Sequence, residues 1–120
     1  MINISDVYAA LCTYESVKGY SSDMLFPCCE QGLGWVRENL KDTADENDPL
    51  IITTAAALAD FYFFLKRQSE TDSYDSYKVG DMTVSRNAEK ELRVAERKRD
   101  LAIARAHSIL KDGGFFFSAQ

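Results

Sequence analysis

Residues 49–67 are apolar on every side of a helix. Leu50, Ile51 and Ile52 open the segment, Ala55-Ala56-Ala57-Leu58-Ala59 fill its middle, and Phe61-Tyr62-Phe63-Phe64-Leu65 close it. A helix without a polar stripe has to be enclosed on most sides. The rest of the chain must therefore supply elements that wrap this one. The alanines let partner helices come close, and the aromatics fill the far end. Asp48 is placed to be its N-cap and Pro49 its first helical residue, a position where the missing N–H of proline costs nothing. Asp60 is the one acid inside the run, expected on a narrow exposed strip or paired with a base of the last helix.

Two candidate wrapping helices precede it. Ser5-Asp6 followed by Val7, Tyr8, Leu11 and Cys12 reads as a cap and then apolar positions at helical spacing, predicting a helix over residues 5–17 that stops at Gly19. Ser21-Ser22-Asp23 caps a second, whose Met24, Leu25, Cys28, Cys29, Leu33, Val36 and Leu40 return to one face. Pro27 belongs in its first turn or starts a kink. Gly32 and Gly34 flank Leu33, where a neighbouring backbone could approach closely, and Trp35 is expected as a core or interface anchor. The following stretch, with Asp42, Asp45, Glu46 and Asp48, is a dense acidic loop. It lacks the central glycine and the closing glutamate of a calcium loop.

Residues 68–85 are expected to form a mobile loop and arm. Residues 69–76 are polar and aperiodic. From Tyr77 to Val84 the pattern alternates, with Tyr77, Val79, Met82 and Val84 as the inward face and Gly80-Asp81 as a turn, predicting an extended arm or a small β-hairpin. A hairpin alone is marginal in water, so it needs this domain or another subunit to lie against.

Ser85 then caps a long helix to about Lys111. Ala88, Leu92, Ala95, Ala102, Ala106 and Ile109 form its seam, Arg99 interrupts it, and Val94, Leu101 and Leu110 widen it. About 26 residues at 1.5 Å each give roughly 39 Å. That exceeds the core of so small a domain, so part of this helix is expected to meet another chain. Arg86, Arg93, Arg97, Lys98 and Arg105 lie off the seam, with Glu89, Glu91, Glu96 and Asp100 available for weak pairs along the same helix. Gly113-Gly114 stops it. Phe115, Phe116 and Phe117 follow in a tail, residues 113–120, that has to be buried either on this bundle or in a partner.

The fold class that follows is all-α: one domain, residues 1–120, a small bundle of about four helices with a long C-terminal helix and an arm before it. A chain of 120 residues, 46% hydrophobic and 28% charged, is large and apolar enough to fold without staples. Its net charge of −5 is unevenly spread: residues 1–85 hold 14 acids and 6 bases, residues 86–120 hold 5 acids and 8 bases. The basic helix is expected to complement acidic neighbours in its own domain or the next subunit. The alternative is nucleic acid, since phosphate binding needs clustered Lys and Arg.

The chemistry-bearing residues are sparse. Cys12, Cys28 and Cys29 have no zinc spacing and are expected as reduced, partly buried thiols. His107, the single histidine, is expected as a solvated helix-end residue. No glycine-rich phosphate loop, paired histidines or nucleophile-base motif occurs, so no catalytic, cofactor or metal residue is assigned and an enzyme is not expected. The first six residues lack the basic start and apolar core of a signal peptide. No uninterrupted apolar run approaches the roughly 20 residues of a membrane span, so a cytoplasmic protein without a membrane partner is expected.

Taken together, the aromatic-rich helix, the polar loop, the Val79-Gly80-Asp81-Met82-Thr83-Val84 element and the long helix ending in Asp112-Gly113-Gly114-Phe115 resemble the head-tail connector, or adaptor, proteins of tailed bacteriophages and prophages. The resemblance implies a structural subunit in a ring of about a dozen copies. That ring would dock under the portal, continue the DNA channel and offer a platform to the next neck or tail-completion protein. It would assemble in the bacterial cytoplasm and end in the virion neck, with DNA passing through and no sequence-specific contact. Carried over by position, Val79, Gly80, Asp81, Met82 and Val84 would contact neighbouring subunits or the portal, and the helix from Arg86 would build the ring wall. The remaining alternative is a small nucleic-acid-binding or regulatory helical domain.

Overall fold

The computed structural model describes residues 2–75 and 82–111, with side chains described for 2–68 and 89–111. Four helices follow in order: α1 Ile4–Leu11, α2 Ser22–Glu38, α3 Pro49–Asp75 and α4 Met82–Arg105, with a short 3-10 turn at Glu15–Val17. The chain is all-α as expected. Among the described residues the only β pairing is an isolated antiparallel bridge between Leu40 and Leu110.

α3 is the hub, packing on α1, α2 and α4. Ile51, Ala55, Ala56, Leu58, Ala59 and Phe63 are all at most 2% exposed, so the inner side of the run is enclosed, while Leu65 is 39% exposed and Leu50, Ile52, Ala57, Tyr62 and Phe64 are only partly covered. Its start is also as read: Asp48 Oδ1 accepts the Leu50 N–H at 2.9 Å. The segment Pro49–Gln68 is, contrary to expectation, long and apolar enough by composition to cross a membrane, because Asp60 and the threonines interrupt it too thinly to lower its mean hydropathy. In this fold its inner faces carry the core that α1, α2 and α4 cover.

α2 meets α3 through Leu25, Cys28, Cys29, Gly32, Leu33 and Val36, all buried. Gly32 lies against the α3 backbone at Ala55 and Ala59. Gly34 has open space beside it. Pro27 sits within the helix on its exposed side.

α1 differs from expectation at both ends. It starts one residue early because Asn3, not Ser5, is the cap and forms a reciprocal capping box: its Oδ1 accepts the Ser5 N–H at 2.9 Å, and Asp6 Oδ2 accepts the Asn3 N–H at 3.0 Å. It stops at Leu11 instead of Val17. The Thr13 hydroxyl donates to the Ala10 carbonyl at 2.7 Å, and Tyr14 adopts an extended backbone that turns Val17 into the core. Gly19 at φ +90° then reverses the chain, a conformation glycine adopts without a Cβ penalty.

α3 continues to Asp75, through most of the stretch expected to be a loop, because no Gly or Pro follows Pro49 until Gly80. α4 begins at Met82, not after Ser85, so Met82, Thr83 and Val84 are helical where an extended arm was expected. The remainder of the predicted arm, residues 77–81, lies outside the described residues.

Candidate interaction surface

α4 ends at Arg105, short of the expected Lys111, and together with the turn that follows it is fixed to the bundle at three places. Ile103, Ala106, Ile109 and Leu110 are buried in the core. Arg99 holds the middle, its guanidinium 4.6 Å from the centroid of the Phe61 ring on α3 and 2.8 Å from Asp100. The position that interrupts the seam in sequence is thus filled by a stacked arginine. At the C-terminal end, the Lys41 N–H donates to the Ile109 carbonyl at 2.9 Å and the Lys111 N–H to the Asn39 carbonyl at 2.6 Å. Those two bonds tie the end of α4 to the start of the acidic loop.

These anchors determine which face of α4 points outward. With 3.6 residues per turn, Lys90, Arg93, Val94, Arg97, Lys98, Leu101 and Arg105 fall within roughly 140° of arc, opposite the seam. All seven are exposed. Arg93, Arg97, Lys98 and Arg105 lie off the seam as expected. Val94 and Leu101 do not widen it: they are 49% and 51% exposed, in the middle of the basic face. Their apolar character gave the wrong side, whereas their angular position, two turns apart and away from Ala95 and Ala102, gives the right one. Among the described residues the five cations of this face pair with no carboxylate; the two salt bridges present are Lys18–Glu15 and Arg99–Asp100.

An opposite surface lies at the other end of the tie. In residues 42–48, Asp42, Asp45 and Glu46 are exposed, and no base occurs among them. The turn is ordered by its own side chains: Asp45 Oδ1 accepts the Asn47 N–H at 2.9 Å, and Asp48 caps α3.

Along one flank of the basic face an open groove of about 360 Å³ runs between α3 and α4, bordered by Ser16, Asp60, Phe64, Val94 and Lys98. The Ser16 hydroxyl donates to Asp60, so this carboxylate is held by a neighbour from the 3-10 turn and not by a base of α4. Glu91 of α4 borders the same groove, beside Lys90 and Lys98. Trp35 is half-buried against the core. Cys28 and Cys29 are buried, and Cys12 is exposed. Burial, reinforced by the neighbouring thiols, pushes the Cys29 thiol up to about 11, which keeps it protonated and unreactive near neutral pH. Among the described residues no group of three or more His, Cys, Asp or Glu could hold a metal ion.

Of the candidate subunit or portal contacts, Arg93 and Arg97 are exposed on α4, while Met82, Val84 and Arg86 are on its first turns with side chains not described. Tyr77, Val79, Gly80, Asp81, Phe115, Phe116 and Phe117 lie outside the described residues. No family model matches the chain, and neither a curated protein nor a solved structure does.

Proposed function

We propose that this chain is a structural subunit of a phage head-tail connector ring, one that docks under the portal and continues the DNA channel. The observation that carries the reading is the outward face of α4, where Val94 and Leu101 stand half-exposed among five cations that pair with no carboxylate among the described residues. Such a face is poorly used in a lone monomer. Apolar side chains ringed by charge are the usual composition of a surface that meets protein.

Multi-angle light scattering of the purified chain over a concentration series, alone and with the portal protein of the same phage, tests the reading. Concentration-dependent oligomers, or a ring nucleated by the portal, are expected. A strict monomer under both conditions overturns it.

A second reading, a nucleic-acid-binding domain, draws on the same five cations. It predicts binding of duplex DNA at low salt that weakens steeply as salt is raised and is lost when Arg93, Arg97 and Lys98 become Ala.

A further inference from the structure

Building on the assembly reading, we infer that the outward face of α4 docks on the acidic turn at residues 42–48 of a second copy, head to tail. The two surfaces are complementary in sign. One presents Lys90, Arg93, Arg97, Lys98 and Arg105; the other presents Asp42, Asp45 and Glu46, and all eight are exposed. Within one molecule no ion pair joins them among the described residues. The bridge between Leu40 and Leu110 fastens the turn to the C-terminal end of α4, and Arg93 stands about 18 Å of helix axis before that end. The charges that find no partner among the described residues of one copy are therefore satisfied by the next.

A second copy fits this face better than nucleic acid does. Phosphates reward cations alone, whereas here two half-exposed aliphatic side chains occupy the centre of the cationic field, where burial against protein is favourable and contact with phosphate is not. The chain as a whole is acidic, at −5, which repels a polyanion but not a subunit docked through its basic face. Because two different patches meet, the contact is heterologous and repeats into a closed ring or an open filament. The helical face, roughly 22 Å long and about 10 Å wide, is small beside the roughly 800 Å² per partner of a standard stable interface. The contact is accordingly weak between pairs, sensitive to salt, and strengthened when the assembly closes.

Charge reversal tests this directly, because all the positions to be changed are exposed. One variant carries Arg93→Glu, Arg97→Glu and Lys98→Glu; the other carries Asp42→Lys and Glu46→Lys, leaving Asp45 and Asp48 to order the turn. Circular dichroism melts first establish that both fold. Sedimentation equilibrium at low salt should then show each variant alone associating roughly tenfold more weakly than the parent chain. An equimolar mixture should recover association, since each reversed surface then faces one of opposite sign. Oligomers that neither variant disturbs overturn the assignment of the two faces while leaving assembly itself standing. Failure of the mixture to recover also overturns it. A parent chain that stays monomeric at every concentration, or that binds a 20-base-pair duplex through α4 instead of its own copies, overturns both the contact and the assembly reading beneath it.

Discussion

Gly32 packs directly on the backbone of Ala55: a Cβ at Gly32 would stand 2.4 Å from the Ala55 carbonyl oxygen and 3.1 Å from the Ala59 nitrogen. α2 and α3 thus touch main chain to main chain. Neither side can yield like the end of a flexible side chain. Gly32→Ala gains helix propensity worth about 1 kcal/mol but forces the helices apart. Overpacking costs about 1–3 kcal/mol or more, so a net loss is expected. Gly34→Ala, with nothing within 4 Å, should instead stabilise by about 0.5–1 kcal/mol. Urea denaturation of the pair measures the contrast, and equal shifts would show that α2 and α3 are not in backbone contact.

The stack of Arg99 on Phe61 holds the middle of α4 against α3. The half-buried guanidinium also pairs with Asp100. Replacing Arg99 by Ala removes a cation–π contact and the packing of its stem, and should cost about 1–2 kcal/mol. Arg99→Lys keeps the charge but loses the planar face, so it should recover only part of that loss. Denaturation midpoints read both.

These two contacts mark how far the sequence could be read. A glycine in a helix beside an alanine-rich neighbour signals close approach in general terms, and that one could be anticipated. So could the Asp48-Pro49 start of α3, because caps are local chemistry. Arg99 could not. A charged residue in an apolar seam is only an interruption until the ring facing it is known. The end of α1 depends on a threonine hydroxyl and on Tyr14 turning inward, both tertiary facts. The span of α3 is not legible because polar composition alone does not stop a helix, and no Gly or Pro follows Pro49 until Gly80.

The buried thiols give the protein an alkaline limit. The Cys29 thiol is held up at about 11 from its ordinary 9.0 by burial. Cys28 is raised by burial too. Between those values the unfolded chain releases a proton that the folded chain retains, so this contribution is intact below pH 9 and is lost as pH climbs toward 11. Melting temperature should fall across that window, and Cys29→Ala should flatten the fall. Alkylation at pH 8 followed by mass spectrometry should label Cys12 quickly and Cys28 and Cys29 only after denaturant is added.

Val94 and Leu101 separate a docking face from a core. If they packed inside, replacing both with Gln would destabilise the fold by several kcal/mol. They are half-exposed, so V94Q/L101Q should leave the thermal midpoint nearly unchanged, within the roughly 0.5 kcal/mol typical of surface positions. Self-association should respond differently. Burying the remaining half of two aliphatic side chains is worth about 1.5–3 kcal/mol, so the dissociation constant should rise at least roughly tenfold. Because no charge is altered, this weakening should persist at high salt, where the effect of reversing Arg93 and Arg97 fades. A double variant that melts early, or that associates as the parent does, would remove these two side chains from the contact.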